Sequence, residues 1–114
     1  MCTALAVYHK EHARLCSEII LDTFMQCNDI RRFAAAPELC YLAMGRCELY
    51  FEYQLSPWDY AAASLIVQEA GGKLSALDGS PLSLTHPSGV LAANSEQSLQ
   101  LLQGIVKRHL NAER

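Results

Sequence analysis

The 114-residue sequence has no run of about 18 apolar residues with which a helix could cross a bilayer. Its start, Met1-Cys2-Thr3-Ala4-Leu5, lacks the basic and cleavage regions of a secretory signal, so a soluble, cytoplasmic protein is expected. Basic clusters are scarce as well. The nine Lys and Arg residues are scattered, with only Arg31-Arg32 and Lys107-Arg108 adjacent, and the formal charge is -3. That pattern offers no electrostatic footprint for nucleic acid. Cys-x-x-Cys is absent too. The five cysteines (Cys2, Cys16, Cys27, Cys40, Cys47) make an odd count, mostly in apolar stretches and with no His at a zinc-binding spacing. They read as reduced, small hydrophobes rather than as a disulfide framework, a thiol nucleophile or a metal site. Repeats and low-complexity linkers are also missing.

What is present is enough apolar material for one domain over residues 1–114. With 51% hydrophobic and 18% charged residues, a chain of this length buries roughly 65% of its unfolded surface. An apolar run at 5–8 reads as a strand leading into an amphipathic helix over 9–25, where Leu15, Ile19, Ile20 and Phe24 recur at helical spacing. Asp29-Ile30-Arg31-Arg32-Phe33 reads as briefly extended. Pro37 suits the first turn of a second helix, which carries Leu39, Cys40, Leu42 and Ala43 and stops at Gly45.

From Cys47 to Tyr53 the sequence alternates. Cys47, Leu49, Phe51 and Tyr53 share one face of a strand, and Glu48, Tyr50 and Glu52 share the other, which is expected to be partly wet or functional. Ser56-Pro57-Trp58-Asp59 is a helix start, with Ser56 as N-cap, Pro57 at the first helical position and Asp59 near the free amides. Gly71-Gly72 ends that helix. Strands are predicted near 73–77, 82–84 and 90–93, divided by Asp78-Gly79 and Pro87-Ser88-Gly89. A last helix capped by Ser95 turns Leu99, Leu102, Val106 and Leu110 inward, with Lys107 and Arg108 complementing the macrodipole. Alternating strands and helices predict an α/β fold with a mixed, mostly parallel sheet layered with helices. The four histidines show no partners and read as surface residues.

The segment that runs from Glu52 through Trp58-Asp59-Tyr60-Ala61-Ala62 to Glu69-Ala70-Gly71-Gly72 resembles the signature of the inositol monophosphatase family. The resemblance extends upstream through Asp29-Ile30-Arg31-Arg32-Phe33 and Cys40-Tyr41-Leu42-Ala43-Met44-Gly45-Arg46, and downstream to Ala92-Ala93-Asn94. It implies the carboxyl-terminal half of that fold, with Asp59 as a magnesium (Mg2+) ligand and Glu52 contacting a hydroxyl of a polyol substrate. Physically, a short carboxylate at a helix start beyond a strand points into the crevice where such sheets place ligands. The bland alternative for Asp59 is a helix cap, and for Glu52 a solvated strand face.

Departures from the family are informative. Where members commonly have Gly-Ser-Ala-Ala or Gly-Thr-Ala-Ala, this chain reads Phe33-Ala34-Ala35-Ala36-Pro37, so substrate contacts from that loop are in doubt, and Ala63 stands where Gly is common. Arg31 and Arg32 read as members of structural ion pairs rather than phosphate ligands. The family's amino-terminal Glu and Asp-x-x-Asp-Gly-Thr segment, which hold further magnesium ions and orient water, do not occur here. One Asp cannot assemble a two-metal site for in-line displacement. Three readings follow. The chain is part of a phosphomonoesterase acting on a small-molecule phosphate monoester, an inositol or related polyol or sugar phosphate; or a non-catalytic module assembling as a homo-oligomer or with an amino-terminal half; or a degenerate relative in which Asp59 only caps its helix.

Overall fold

Both faces of one strand are covered by helices, and that arrangement organises the molecule. A computed structural model describes residues 1–3, 10–31 and 35–112. The elements are β1 (Cys2–Thr3), α1 (Ala13–Phe24) after a single 3-10 turn, α2 (Ala35–Ala43), β2 (Leu49–Leu55), α3 (Pro57–Glu69), β3 (Lys73–Ser75), β4 (Ser88–Ala93) and α4 (Glu96–Ala112). The sheet order is β1-β2-β4-β3. The strand expected at 5–8, together with Arg32 and Phe33, lies outside the described residues.

The expected mixed sheet between helices is present, but its balance differs. Among the described strands, β1 pairs with β2 in parallel, whereas β2–β4 and β3–β4 are antiparallel. The connection from β3 to β4, residues 76–87, carries no helix to make the crossover that a parallel pair usually uses. The strand expected at 82–84 does not form. There the Tyr60 hydroxyl donates to the Ser83 carbonyl, with the His86 carbonyl 3.2 Å away. The Ser83 hydroxyl oxygen in turn accepts the Thr85 and His86 amides, which bends the chain away from a ladder.

Alternation along β2 divides the core in two. Leu49, Phe51, Leu91 and Ala93 face α1 (Leu15, Cys16, Ile19) and α4 (Leu99, Leu102, Ile105, Val106). On the other face Tyr50, Val90 and Ala92 meet α2 (Leu39, Leu42) and α3 (Tyr60, Ala63, Val67). The layers are therefore helix, sheet, helix. The face expected to be partly wet or functional is wet only at Glu48, ahead of β2: Tyr50 is fully buried and Glu52 is only 8% exposed, on the side that α2 and α3 cover.

Helix ends follow local chemistry. Gly71 takes φ +86°, its N–H bonds the Gln68 carbonyl, and the Gly72 N–H bonds the Val67 carbonyl, so α3 closes on a Schellman motif. Gly45 ends α2 in the same way, with the Arg46 amide reaching the Tyr41 carbonyl. At the start of α4 the Ser98 amide donates to the Ser95 hydroxyl at 3.1 Å, the predicted cap.

Candidate functional site

Strand β2 delivers the chain to α3 through a break in its ladder. Glu52 lies opposite Val90 and Leu55 opposite Ser88, so three residues of β2 span two of β4, a bulge between the two candidate carboxylates. Ser56 then turns the chain in an extended conformation, and Pro57 opens α3 with a preset φ.

Asp59 sits in the first turn of α3, half-buried. Its Oδ2 accepts the Ser56 N–H at 3.1 Å while the Asp59 amide donates back to the Ser56 carbonyl at 2.9 Å. The first of these contacts, together with the Ser56 side chain facing the Asp59 amide, makes a capping box. Capping is thus a role that Asp59 performs within this chain. It uses one of the several lone-pair directions of a carboxylate, and the rest remain compatible with a cation or another donor. Trp58 beside it is 83% exposed.

Glu52 points to the α2–α3 side of the sheet, within the buried layer rather than on a solvated face. Tyr60, the next residue after Asp59, is buried, and the loss of hydration raises its hydroxyl above the ordinary tyrosine range. Through Ser83 and His86 it ties the loop ahead of β4 to the start of α3. This tether was not anticipated, since its partners lie more than twenty residues away and are backbone carbonyls, which carry no residue-type signal.

Among the described residues, no three His, Cys, Asp or Glu side chains are arranged to hold a metal ion. Among these residues a metal would therefore meet single carboxylates rather than a cluster. A cleft of about 600 Å³ opens elsewhere, lined by Cys27, Asp29, Tyr41, Arg46 and Glu48 among others, and neither Asp59 nor Glu52 lines it. Arg31, on its rim, is engaged by Asp29 at 2.8 Å, the structural ion pair expected for it.

Two histidines depart from expectation, His12 and His109, while His86 is exposed as expected and His9 lies outside the described residues. His12 stacks on Tyr53 with ring centroids 4.5 Å apart. His109 Nε2 contacts Asp22 Oδ2, and Arg108 reaches the same oxygen at 3.3 Å. Those pairs join α1 to α4 across 86 and 87 residues of sequence, beyond the reach of any local pattern. Of the cysteines whose burial is described, Cys16 is buried while Cys27, Cys40 and Cys47 are half-buried, and none of these four is in a disulfide.

A helix–sheet–helix half with a carboxylate capping the helix that follows its central strand defines a class, and comparison with known proteins agrees with it. The model of the inositol monophosphatase family matches residues 2–110, and the chain belongs to that family. It is 46% identical over 77 residues to a phosphatase, IMPL1, chloroplastic, of Arabidopsis thaliana, covering 67% of this chain and 20% of that protein. It is 34% identical over 113 residues to the Nus factor SuhB of Vibrio cholerae, covering 98% of this chain and 42% of that one. In three dimensions it resembles the staphylococcal IMPase-II at a TM-score of 0.82 and 25% identity, covering 97% of this chain and 44% of that structure. The SuhB protein of Bartonella henselae gives a TM-score of 0.82 at 29% identity, covering 93% and 40%. The chain thus spans less than half the length of these relatives. No helix among the described residues is long and apolar enough to cross a membrane.

Proposed function

We propose that this chain is the carboxyl-terminal part of a magnesium-dependent phosphomonoesterase that hydrolyses an inositol phosphate or a related polyol or sugar phosphate in the cytoplasm. Asp59 supplies one magnesium ligand and Glu52 a hydrogen-bond acceptor for a substrate hydroxyl. The observation that carries the reading is the position of Asp59: a carboxylate fixed by its own cap at the mouth of α3, inside the segment that bears the family signature. Magnesium, when bound, would stabilise the charge that develops as the phosphate ester breaks. This chain's part is to hold the Asp59 carboxylate rigid, which the capping box does by fixing its rotamer.

Completion from outside the chain is supported by α3 itself. Its inner side is buried, yet its outer side shows Trp58, Leu65 and Ile66 to solvent. A helix apolar on both sides is suited to burial on both. An amino-terminal half of the family fold is the partner we assign to that face, with a second copy of the chain as the alternative occupant. The competing reading, a non-catalytic module, is favoured by the capping box, which gives Asp59 a sufficient structural reason to be there.

The test is magnesium-dependent phosphate release from inositol 1-phosphate by the chain alone, by the chain mixed with an amino-terminal half, and by the mixture carrying Asp59→Asn. Activity that appears on mixing and disappears with the substitution supports the proposal. A folded mixture that binds but stays silent favours the non-catalytic module.

A further inference from the structure

The contact between α1 and α4 at Asp22 is built from groups that respond to protons. On α1, Glu18 and Asp22 lie one turn apart on the side that meets α4, and Arg14 holds Glu18 from behind at 3.3 Å. On α4, His109 is largely buried, with 17% of its side chain exposed. Its Nε2 meets Asp22, its Nδ1 faces Glu18 Oε2 at 3.8 Å, and Arg108 shares the Asp22 oxygen. These are the charged groups that the ion pairs place at the ring.

A neutral imidazole carries one N–H and one lone pair. With the N–H on Nε2, directed to Asp22, the lone pair on Nδ1 is turned toward a carboxylate, and two acceptors face each other. Protonation turns that contact into an ion pair at 3.8 Å, so that only imidazolium is paired in charge with both carboxylates at once. Asp22 also stands at a mechanically useful point. After it, α1 unwinds through a turn in which the Met25 amide bonds Leu21, the Gln26 amide bonds Thr23 and the Cys27 amide bonds Phe24. Gln26, Cys27 and Asn28 then form one wall of the 600 Å³ cleft.

We propose that His109 is a proton-operated latch: its imidazolium clamps the end of α1 to α4, and loss of the proton loosens that end and the cleft wall it carries. Arg108 keeps hold of Asp22 when His109 is neutral, so the elements loosen without separating. At the acid limit Asp22 takes up a proton and the clamp is lost again. Its carboxyl is held below the usual range, first by the hydrogen bond from His109, with the nearby positive charges helping and burial opposing, which moves that limit to lower pH. The latch does not depend on the phosphatase reading.

Amide hydrogen exchange of the full chain, corrected for intrinsic rates and followed over a pH series from mildly acid to mildly alkaline, tests it. Protection at residues 21–27, measured relative to β2, is expected to fall about five- to tenfold across that range, the difference between a charge-assisted and a neutral hydrogen bond. His109→Gln flattens the profile. Glu18→Gln, a change at an exposed group that leaves the fold intact, reduces the slope by removing the second carboxylate. An unchanged slope in either folded variant, or protection of α1 and β2 falling together, overturns the proposal.

Discussion

At Asp59 the observed cap and the proposed ligand role fall on one carboxylate, and substitution can separate them. The cap needs an oxygen acceptor, which Asn retains, so Asp59→Asn should change unfolding free energy by less than about 0.5 kcal/mol, whereas Asp59→Ala should cost about 1 kcal/mol. Chemical denaturation distinguishes these, and a ligand role shows when the stable Asn variant alone fails to restore activity on mixing. Tyr60 makes a second prediction. Tyr60→Phe leaves the Ser83 and His86 carbonyls without their donor and should cost about 1 kcal/mol. Because the folded hydroxyl titrates above its unfolded range, Tyr60 favours folding up to about pH 10 and loses that contribution as pH rises through the folded value. An alkaline unfolding limb that is weaker in the Phe variant checks the sign. Asp59 was legible in the sequence because its chemistry is local, four residues from Ser56 to Asp59. The Tyr60 tether was not, since backbone acceptors look alike in any sequence.

Elements were legible where they carry their own punctuation. Helix α3 is bracketed by Ser56-Pro57 and Gly71-Gly72, and both ends fall where those residues require. Gly71→Ala should cost about 1 kcal/mol, since the residue must keep φ +86°, and should lower the denaturation midpoint without altering the slope. The burial of Glu52 could not be read from β2 alone, because strand alternation distinguishes two faces without saying how many are covered. Likewise, residues 82–84 have strand-like composition but lack a partner. The tie between α1 and α4 gives a further expectation. Asp22 is lowered in the folded state, so its contribution is present above the ordinary carboxylate value of about 3.9 and disappears as pH falls through the folded one. Acid unfolding followed by circular dichroism should therefore be shallower for Asp22→Asn.

Across the whole molecule, a sheet one layer thick separates two apolar clusters that share no side chains. Leu42→Ala on one side and Leu102→Ala on the other should each cost about 2–5 kcal/mol. The double variant should match their sum within about 0.5 kcal/mol, since neither cavity touches the other's lining. A cooperative single transition in the double-variant melt would show that the sheet couples the two layers despite that independence.

The break in the β2 ladder also sets the phase of everything after it. Leu49, Phe51 and Tyr53 pack toward α1 and α4, yet Leu55, also odd-numbered, packs toward α2 and α3, because the bulge inserts one extra residue. Removing Gln54 would straighten the ladder yet leave Leu55 opposite Ser88 on its present side, whereas inserting one more residue there would swing Leu55 to the α1–α4 side and carry the root of α3, with Asp59, through half a turn. Such an insertion conserves every core and candidate-site side chain and still displaces Asp59, so the segment between Glu52 and Asp59 tolerates shortening at the bulge better than lengthening.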